Sequence, residues 1–277
     1  MDRKQFLKTG LAAAVAAAAM ANPARAFADS ARVDDPDEEG FDEIVDVIVV
    51  GSGLAATVAA VTSAEAKAQT LMLEKMEQFG GTSRVSGLNC AVVGSDEQAA
   101  DGIEDDPEWM YEDMRKVAED YGDPDLARVV AEGSQNLYRF LIERGATFKQ
   151  LKSGGGHSAK RLLWAGGGRY LLDALVSHAQ SSLADMLEMR TRCKVDDLVL
   201  RDGRAVGVVV RENYAFDYDA PGTDDLENRT GNTRRIGARR GIVFATGGYA
   251  RDKELLRSES TVLAQADTMA NPGATSG

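Results

Sequence analysis

Residues 44–56 read IVDVIVVGSGLAA, and this stretch decides the fold. Its first seven residues are mostly β-branched and almost all apolar, which is typical of a strand buried on both faces of a parallel sheet. Small residues, many of them alanine, continue to about Ala68 and favour a helix. Residues 69–73 then predict a second strand that ends at Glu74. A strand, a glycine turn, a helix and a second strand in this order predict a βαβ unit and an α/β fold.

The turn after the first strand has the residue types that a dinucleotide pyrophosphate requires. Gly51 permits the tight turn, Gly53 lets the phosphates approach the backbone, and Ala56 lets the helix pack closely on the strand. The helix N-terminus offers free N–H groups and a positive dipole. Glu74 is placed to accept hydrogen bonds from the hydroxyls of an adenosine ribose. The unit therefore predicts a dinucleotide site. Its alternative is a chance glycine turn with a surface carboxylate, and the unit alone does not distinguish FAD from NAD.

A second glycine-rich run, residues 75–90, follows the predicted ribose carboxylate and reads KMEQFGGTSRVSGLNC. Here the chain resembles the FAD-binding family that includes flavocytochrome c fumarate reductases, urocanate reductases and 3-ketosteroid dehydrogenases. In that family a similar run wraps the FAD pyrophosphate and then passes beside the isoalloxazine ring. Residues 245–248 read ATGG, which resembles the turn that returns the family's chain to the FAD.

The resemblance implies a glutathione-reductase-like, Rossmann-type FAD-binding domain, with FAD as the cofactor. Residues 193–200 and 205–211 flank Asp202-Gly203 and predict a β-hairpin. In relatives a backbone segment matching Lys194–Val195 meets the adenine. The predicted cofactor-binding residues are Gly51, Ser52, Gly53, Ala55, Ala56, Glu74, Lys75, Gly81, Thr82, Ser83, Ser86, Gly87, Val195, Ala245, Thr246 and Gly247.

The composition excludes some classes of partner and site. The formal net charge is −12, which argues against nucleic acid and anionic membranes because both reward clustered Lys and Arg. Cys90 and Cys193 form no zinc or haem spacing, so no metal is predicted. A single disulfide between them is unsupported, and two buried thiols are favoured.

The chain divides into four predicted segments. Residues 1–28 combine a basic start, a short alanine-rich apolar run and small-x-small cleavage sites, which is the layout of a signal peptide. Residues 29–43 are an acidic, solvated linker. Residues 44–249 are the FAD-binding domain, and residues 250–277 are the incomplete start of a substrate-capping domain.

The N-terminal sequence predicts export across the cytoplasmic membrane to the periplasm or cell envelope. The stretch DRKQFLK resembles a twin-arginine signal in which Lys4 replaces the second arginine. The apolar run has about half of the ~20 residues that span a bilayer, so a permanent membrane anchor is the weaker interpretation.

The middle of the chain contains a predicted core helix and a histidine loop. Residues 125–144 form an amphipathic pattern. Its predicted core residues are Leu126, Val129, Val130, Leu137, Phe140 and Leu141. His157 lies in a glycine-rich stretch that resembles a flavin-side loop in several family members. It is a catalytic candidate that would orient substrate or flavin, and the alternative is a structural histidine. Residues 240–244 predict another buried strand, and residues 213–235 a polar surface excursion without chemistry.

The resemblance implies an exported flavin-dependent reductase that passes hydride to an activated C=C bond of a small organic substrate. With no haem motif, electrons would come from a separate donor protein or a quinol-linked carrier. The family's proton donor lies downstream of Gly277, so the chain is expected to be a fragment or the product of an interrupted gene. The alternatives are a 3-ketosteroid-type dehydrogenase, an inactive truncated flavoprotein and an NAD-dependent dehydrogenase.

If the signal peptide is cleaved, the exported protein will begin at Phe27 or Asp29, directly after one of the two small-x-small sequences. N-terminal sequencing of protein recovered from the cell envelope measures this directly. A retained Met1 in that fraction would contradict the prediction.

Overall fold

The structure is a computed structural model that describes residues 40–219, 228–268 and 270–275. The predicted signal peptide and most of the predicted linker therefore lie outside the described residues. The described strands are β1 (Glu43–Val50), β2 (Thr70–Leu73), β3 (Cys90–Ala91), β4 (Gln150–Lys152), β5 (Leu162–Trp164), β6 (Leu187–Arg190), β7 (Cys193–Arg201), β8 (Arg204–Glu212) and β9 (Asn232–Phe244). The described helices are α1 (Leu54–Glu65), α2 (Gly81–Val85), α3 (Asp96–Ala100), α4 (Pro107–Val117), α5 (Pro124–Glu143), α6 (Gly168–Ser182) and α7 (Lys253–Glu259), with a 3₁₀ turn at Leu263–Gln265.

Six strands form one mixed sheet in the order β6-β2-β1-β9-β8-β7. Strands β6, β2, β1 and β9 run parallel to one another, and the β7–β8 hairpin adds antiparallel strands at one edge. This arrangement confirms the predicted α/β fold with its βαβ unit. The predicted hairpin is also present, with Asp202 and Gly203 both at positive φ in its turn.

The register of the central strands brings three strand ends to one edge of the sheet. Val50, the last residue of β1, pairs with Leu73 on β2 and with Phe244 on β9. After β1 the chain continues to β2, which lies on one side of β1 in the sheet, and β9 lies on the other side of β1. In open α/β sheets, ligands bind outside the carboxyl ends of the strands at such a reversal of strand order.

The core lies on this sheet and explains the apolar composition of its strands. Ile48, Leu71, Val208 and Ile236 are completely buried and belong to one cluster that spans four strands. Helix α1 buries small residues against the sheet, including Ala56 and Ala60. Small side chains allow a close approach of the helix, which is why this segment is rich in alanine.

The described residues form two compact units. One contains residues 40–87 and 167–275, and therefore the whole six-stranded sheet together with α1, α2, α6 and α7. The other contains residues 88–166, with the three-stranded sheet β3-β5-β4 and helices α3 to α5. Residues 250–275, which the sequence analysis assigned to a capping domain, belong to the same compact unit as the large sheet.

Strand β9 is longer than predicted and less buried at its end. It begins at Asn232, so residues 232–235 are part of a strand and not of the polar excursion. Arg234 and Arg235 pair with β8 despite their charge, because their neighbours on β8 supply the backbone partners. Phe244 is 52% exposed, which corrects the prediction of a buried strand at residues 240–244.

Helix α5 is confirmed, but its predicted buried face is largely wrong. Of the six residues assigned to the core, only Leu141 is buried, and Leu126, Val130 and Leu137 are exposed. The buried stripe consists of Ala131, Ser134, Tyr138 and Leu141. The Ser134 hydroxyl accepts a hydrogen bond from the Val93 amide, so a polar residue takes a position where periodicity expects an apolar one.

The two cysteines are free and buried, as favoured by the sequence. Among the described residues, none of the helices has the length and apolar content that a membrane span requires.

We expect the buried apolar cluster on the six-stranded sheet, which includes Leu71, to contribute most to the free energy of unfolding. Leu71→Ala removes a fully buried side chain from β2, and we expect a loss of about 2–5 kcal/mol in the free energy of unfolding, measured by urea titration. Leu200→Ala on β7 is the matched control because Leu200 is 60% exposed, and its cost should stay within about 0.5 kcal/mol. Equal losses in the two variants would contradict this placement of the core.

Candidate cofactor site

A cavity of about 450 Å³ lies at the carboxyl ends of β1, β2 and β9. This volume falls within the range of about 300–1,000 Å³ that is typical of small-molecule sites. The residues that line it and that the sequence analysis had predicted are Gly51, Ser52, Gly53, Glu74, Lys75, Gly81, Thr82, Ser83, Val195, Ala245, Thr246 and Gly247. The sheet therefore gathers residues from distant parts of the sequence into one site.

Gly51 forms the elbow between β1 and the rest of the site. Its φ is +102°, a conformation that favours glycine, and a Cβ there would lie 2.5 Å from the Ala245 carbonyl oxygen. Its N–H donates to the Leu73 carbonyl (2.8 Å), and the Ala245 N–H donates to the Val50 carbonyl (2.9 Å). Three strand ends are thus joined at a point where no side chain fits.

The N-terminus of α1 faces the cavity at Gly53. No acidic residue lies in the first turn of this helix, so nothing in that turn opposes an anion drawn by its dipole. The Leu54 N–H donates to the Ser83 hydroxyl oxygen (3.1 Å), which links the helix N-terminus to α2. This arrangement is suited to a pyrophosphate held between two glycine-rich turns.

Glu74 presents a buried carboxylate at the tip of β2, where only 6% of its surface is exposed. Its Oε1 accepts the Met76 N–H (2.8 Å), and its Oε2 is hydrogen-bonded to the Ser52 hydroxyl. Burial raises the pKa of Glu74, while the hydrogen bonds from Ser52 and Met76 and the charge of Lys75 act in the opposite direction. A buried acceptor of this kind suits the hydroxyls of a ribose.

Four residues of the segment 270–275 line the site: Ala270, Asn271, Gly273 and Ala274. The Asn271 side-chain amide donates to the Thr82 hydroxyl (3.0 Å), and the Lys75 ammonium donates to the Thr275 hydroxyl (2.6 Å). The Arg251 guanidinium donates to the Ala270 carbonyl (2.9 Å) and holds the start of this segment. Two residues predicted on the cofactor, Lys75 and Thr82, are therefore also contacts of this segment.

The β7 side of the cavity is lined by Cys193, Lys194 and Val195. The Lys194 ammonium is 4% exposed and donates to Asp196 (2.7 Å), which also binds the Arg211 guanidinium. Burial raises the pKa of the Cys193 thiol to about 11, so this thiol is neutral at physiological pH. Val195 contributes an apolar surface on this side of the cavity, and its contact with an adenine stays a prediction.

Four predicted residues do not line the cavity. Ala56 is buried on the packed face of α1, and Ala55 is exposed on the same helix. The Ser86 carbonyl accepts the Gly168 N–H (2.9 Å), and Gly87 follows it. The assignment of these four residues to FAD stays a prediction.

Several lining residues that come late in the chain were not predicted. They are Phe244, Gly248, Ala250, Ala270, Asn271, Gly273 and Ala274. Four earlier lining residues were also not predicted: Val50 and Leu73 at the ends of β1 and β2, Met76 after β2, and Cys193 at the start of β7. Gly248 belongs to the ATGG turn at residues 245–248, and that turn was a usable signal for it. Nothing in the periodicity of residues 270–274 indicates that this segment meets Thr82.

His157 belongs to the separate unit of residues 88–166. Its Nδ1 lies 3.4 Å from the guanidinium of Arg161, which is fully buried and also binds Asp105 and Asp113. Ser158 donates from both its N–H and its hydroxyl to Asp113. These contacts support the structural alternative for His157, and its catalytic role remains a prediction.

The site fits FAD on three structural counts. The elbow at Gly51 leaves no room for a side chain, the N-terminus of α1 carries no opposing acid, and Glu74 offers a buried acceptor. Together they supply a place for a pyrophosphate and for a ribose, the two groups that such a βαβ unit binds in one half of a dinucleotide.

Gly51→Ala should both destabilise the protein and abolish tight FAD binding, because a methyl group would overlap the Ala245 carbonyl. We expect a loss of about 1–3 kcal/mol from the strained backbone alone, measured by urea titration, with FAD binding followed by flavin fluorescence. Gly203→Ala is the matched control, since its φ is +78° but no atom lies within 4 Å of the added methyl. This control should lose stability and keep FAD; loss of FAD in both variants would contradict the assignment of the elbow.

Two proteins of known sequence are similar to this chain over most of its length. An acrylate reductase flavoprotein subunit from Shewanella woodyi is 30% identical, over 99% of this chain and 52% of that protein. A urocanate reductase from Eggerthella lenta is 35% identical, over 78% of this chain and 34% of that protein. The chain thus spans between about a third and about half of the length of these relatives.

The fold agrees with that of a solved relative. The open conformation of a flavocytochrome c3 fumarate reductase has a TM-score of 0.74 and 30% identity, covering 85% of this chain and 39% of that one. A family model described as an FAD binding domain matches residues 46–277, and the predicted family and cofactor are confirmed. The chain therefore belongs to the FAD-binding family of flavin-dependent reductases and dehydrogenases that includes fumarate and urocanate reductases, and its cofactor is FAD.

Proposed function

We propose that this chain holds FAD in the cavity at the carboxyl ends of β1, β2 and β9, as the flavin-binding part of a reductase. The substrate would be a small organic acid with an activated C=C bond. The observation that carries the proposal is the buried Glu74 carboxylate beside the Gly51–Gly53 elbow. A ribose and a pyrophosphate are the chemical groups that this pair recognises.

The described contacts suggest how the cofactor would be held. Glu74 would accept the ribose hydroxyls, because each carboxylate oxygen has acceptor capacity beyond its contact with Ser52 or Met76. The Gly53 turn and the N-terminus of α1 would receive the pyrophosphate. Val195 would lie at the adenine end. In this proposal the residues of this chain bind and orient the FAD.

The substrate class rests on the relatives. Acrylate and urocanate, named in two of them, are carboxylates in which a C=C bond is conjugated to an electron-withdrawing group. A bound FAD supplies two-electron chemistry in the form of a hydride. Reduction of such a bond is therefore the reaction we propose. The alternative is a 3-ketosteroid-type dehydrogenase, which would remove hydrogens from a ring.

We also propose an exported location and a separate electron carrier. The location rests on the signal-like layout of residues 1–28, which lie outside the described structure. The carrier, a donor protein or a quinol-linked system, rests on the chemistry of the reaction, because a flavin that has reduced its substrate must be reduced again by an electron donor.

Glu74→Gln should weaken FAD binding by roughly ten- to a hundredfold, because a hydrogen bond to a charged group contributes about 1.5–3 kcal/mol. Equilibrium titration with FAD, followed by flavin fluorescence, measures the change. Glu77→Gln is the matched control, since Glu77 is an exposed carboxylate three residues along the chain, and its affinity should equal that of the wild type.

The direction of the reaction has a separate readout. In a protein that extends beyond Gly277 and includes the family's predicted proton donor, the reduced flavin should be reoxidised without oxygen by acrylate, fumarate or urocanate, and not by succinate. Bleaching of the oxidised flavin by a 3-ketosteroid would instead support the alternative. If that longer protein binds FAD but is reoxidised by none of the three acids, the substrate class fails and the FAD site remains intact.

A further inference from the structure

We propose that Ser52 is a positioning residue whose hydroxyl fixes the Glu74 carboxylate to the Gly80 amide. This inference rests on the proposed placement of FAD beside Glu74. It adds a role for a side chain at a position where the dinucleotide-binding pattern of glycines specifies no residue type.

The contacts of the Ser52 hydroxyl define this role. The Gly80 N–H donates to Ser52 Oγ (2.9 Å), and Ser52 Oγ is hydrogen-bonded to Glu74 Oε2. Ser52 is 1% exposed and Glu74 is 6% exposed, so water does not compete freely for these groups. One oxygen atom therefore connects the first glycine turn, the tip of β2 and the second glycine-rich run.

The chemistry of a hydroxyl explains why serine suits this position. A backbone N–H only donates, so Gly80 occupies a lone pair of Ser52 Oγ and leaves the hydroxyl hydrogen for the carboxylate. The second oxygen of Glu74 is held by the Met76 N–H. The carboxylate is thereby fixed at both oxygens while still able to accept hydrogen bonds from a ribose.

The contact with Gly80 extends this role to the second glycine-rich run. Gly80 has a φ of +118°, and a side chain there would overlap Arg84 and Leu172, so this position requires glycine. Helix α2 begins at the next residue and carries Thr82 and Ser83 into the cavity. Ser52 therefore sets the ribose acceptor and this part of the predicted phosphate-binding surface relative to each other.

A double-mutant cycle distinguishes positioning from direct contact with the cofactor. Ser52→Ala should weaken FAD binding roughly tenfold or more in the wild-type background, but by less than threefold when Glu74 is already Gln, because the lost hydrogen bond acts through the carboxylate. Ser63→Ala is the matched control: it removes an equally buried hydroxyl from α1, and FAD affinity should not change. Equal effects of Ser52→Ala in both backgrounds would overturn the inference.

The pH dependence of FAD binding gives a readout that a purely structural role would not move. An ionised carboxylate accepts hydrogen bonds from the ribose hydroxyls more strongly than a protonated one, so affinity should fall as the pH falls through the pKa of Glu74. The Ser52 hydrogen bond lowers that pKa, so its removal should move the midpoint of this loss to a higher pH. The other charged groups on this side of the site, Lys75 and Lys194, are unchanged in the variant, and the Cys193 thiol is neutral below its pKa of about 11.

A size-matched variant keeps the test decisive if Ser52→Ala folds poorly. Ser52→Cys retains the volume of the side chain but is a weak donor and acceptor, and its pH midpoint should also rise. An unchanged midpoint in both variants would overturn the positioning role. If Glu74→Gln binds FAD as tightly as the wild type, the proposed placement of FAD fails. If Glu74→Gln weakens binding but the Ser52 variants change neither the FAD affinity nor the pH midpoint, only the positioning role of Ser52 fails.

Discussion

The close approach of the Gly51 backbone to the Ala245 carbonyl is the contact on which the site depends. It exists because β1 lies between β2 and β9 in parallel register, so that the three strands end together. A Cβ at Gly51 would lie 2.5 Å from that carbonyl. The same approach places the turn, the carboxylate of Glu74 and the ATGG stretch around one cavity. Residues nearly two hundred positions apart in sequence thus form a single surface.

Much of this arrangement was predictable because it is encoded locally. The apolar run before Gly51 indicates a buried parallel strand, and the small residues after it indicate a helix that packs closely. Glu74 follows as the next strand ends, at a distance that a βαβ unit fixes. These local signals predict Gly51, Gly53 and Glu74 at the cavity, whereas later lining residues such as Val195 and Thr246 were predicted from the family resemblance.

The remaining features depend on contacts that periodicity does not contain. Helix α5 buries Ser134 because its hydroxyl accepts a hydrogen bond from Val93, and it exposes Leu126 instead. Strand β9 begins among arginines because β8 supplies its backbone partners. The contact of Asn271 with Thr82 and the link from Ser52 to Gly80 join segments whose meeting is decided only by the completed sheet.

The central claim is that the βαβ unit binds the adenosine diphosphate half of FAD. Competition between ligands tests it most directly, with release of protein-bound FAD followed by the recovery of its fluorescence. The account predicts that ADP displaces FAD, while FMN, which lacks the adenosine and the second phosphate, does not at equal concentration. Displacement by FMN with no effect of ADP would contradict it.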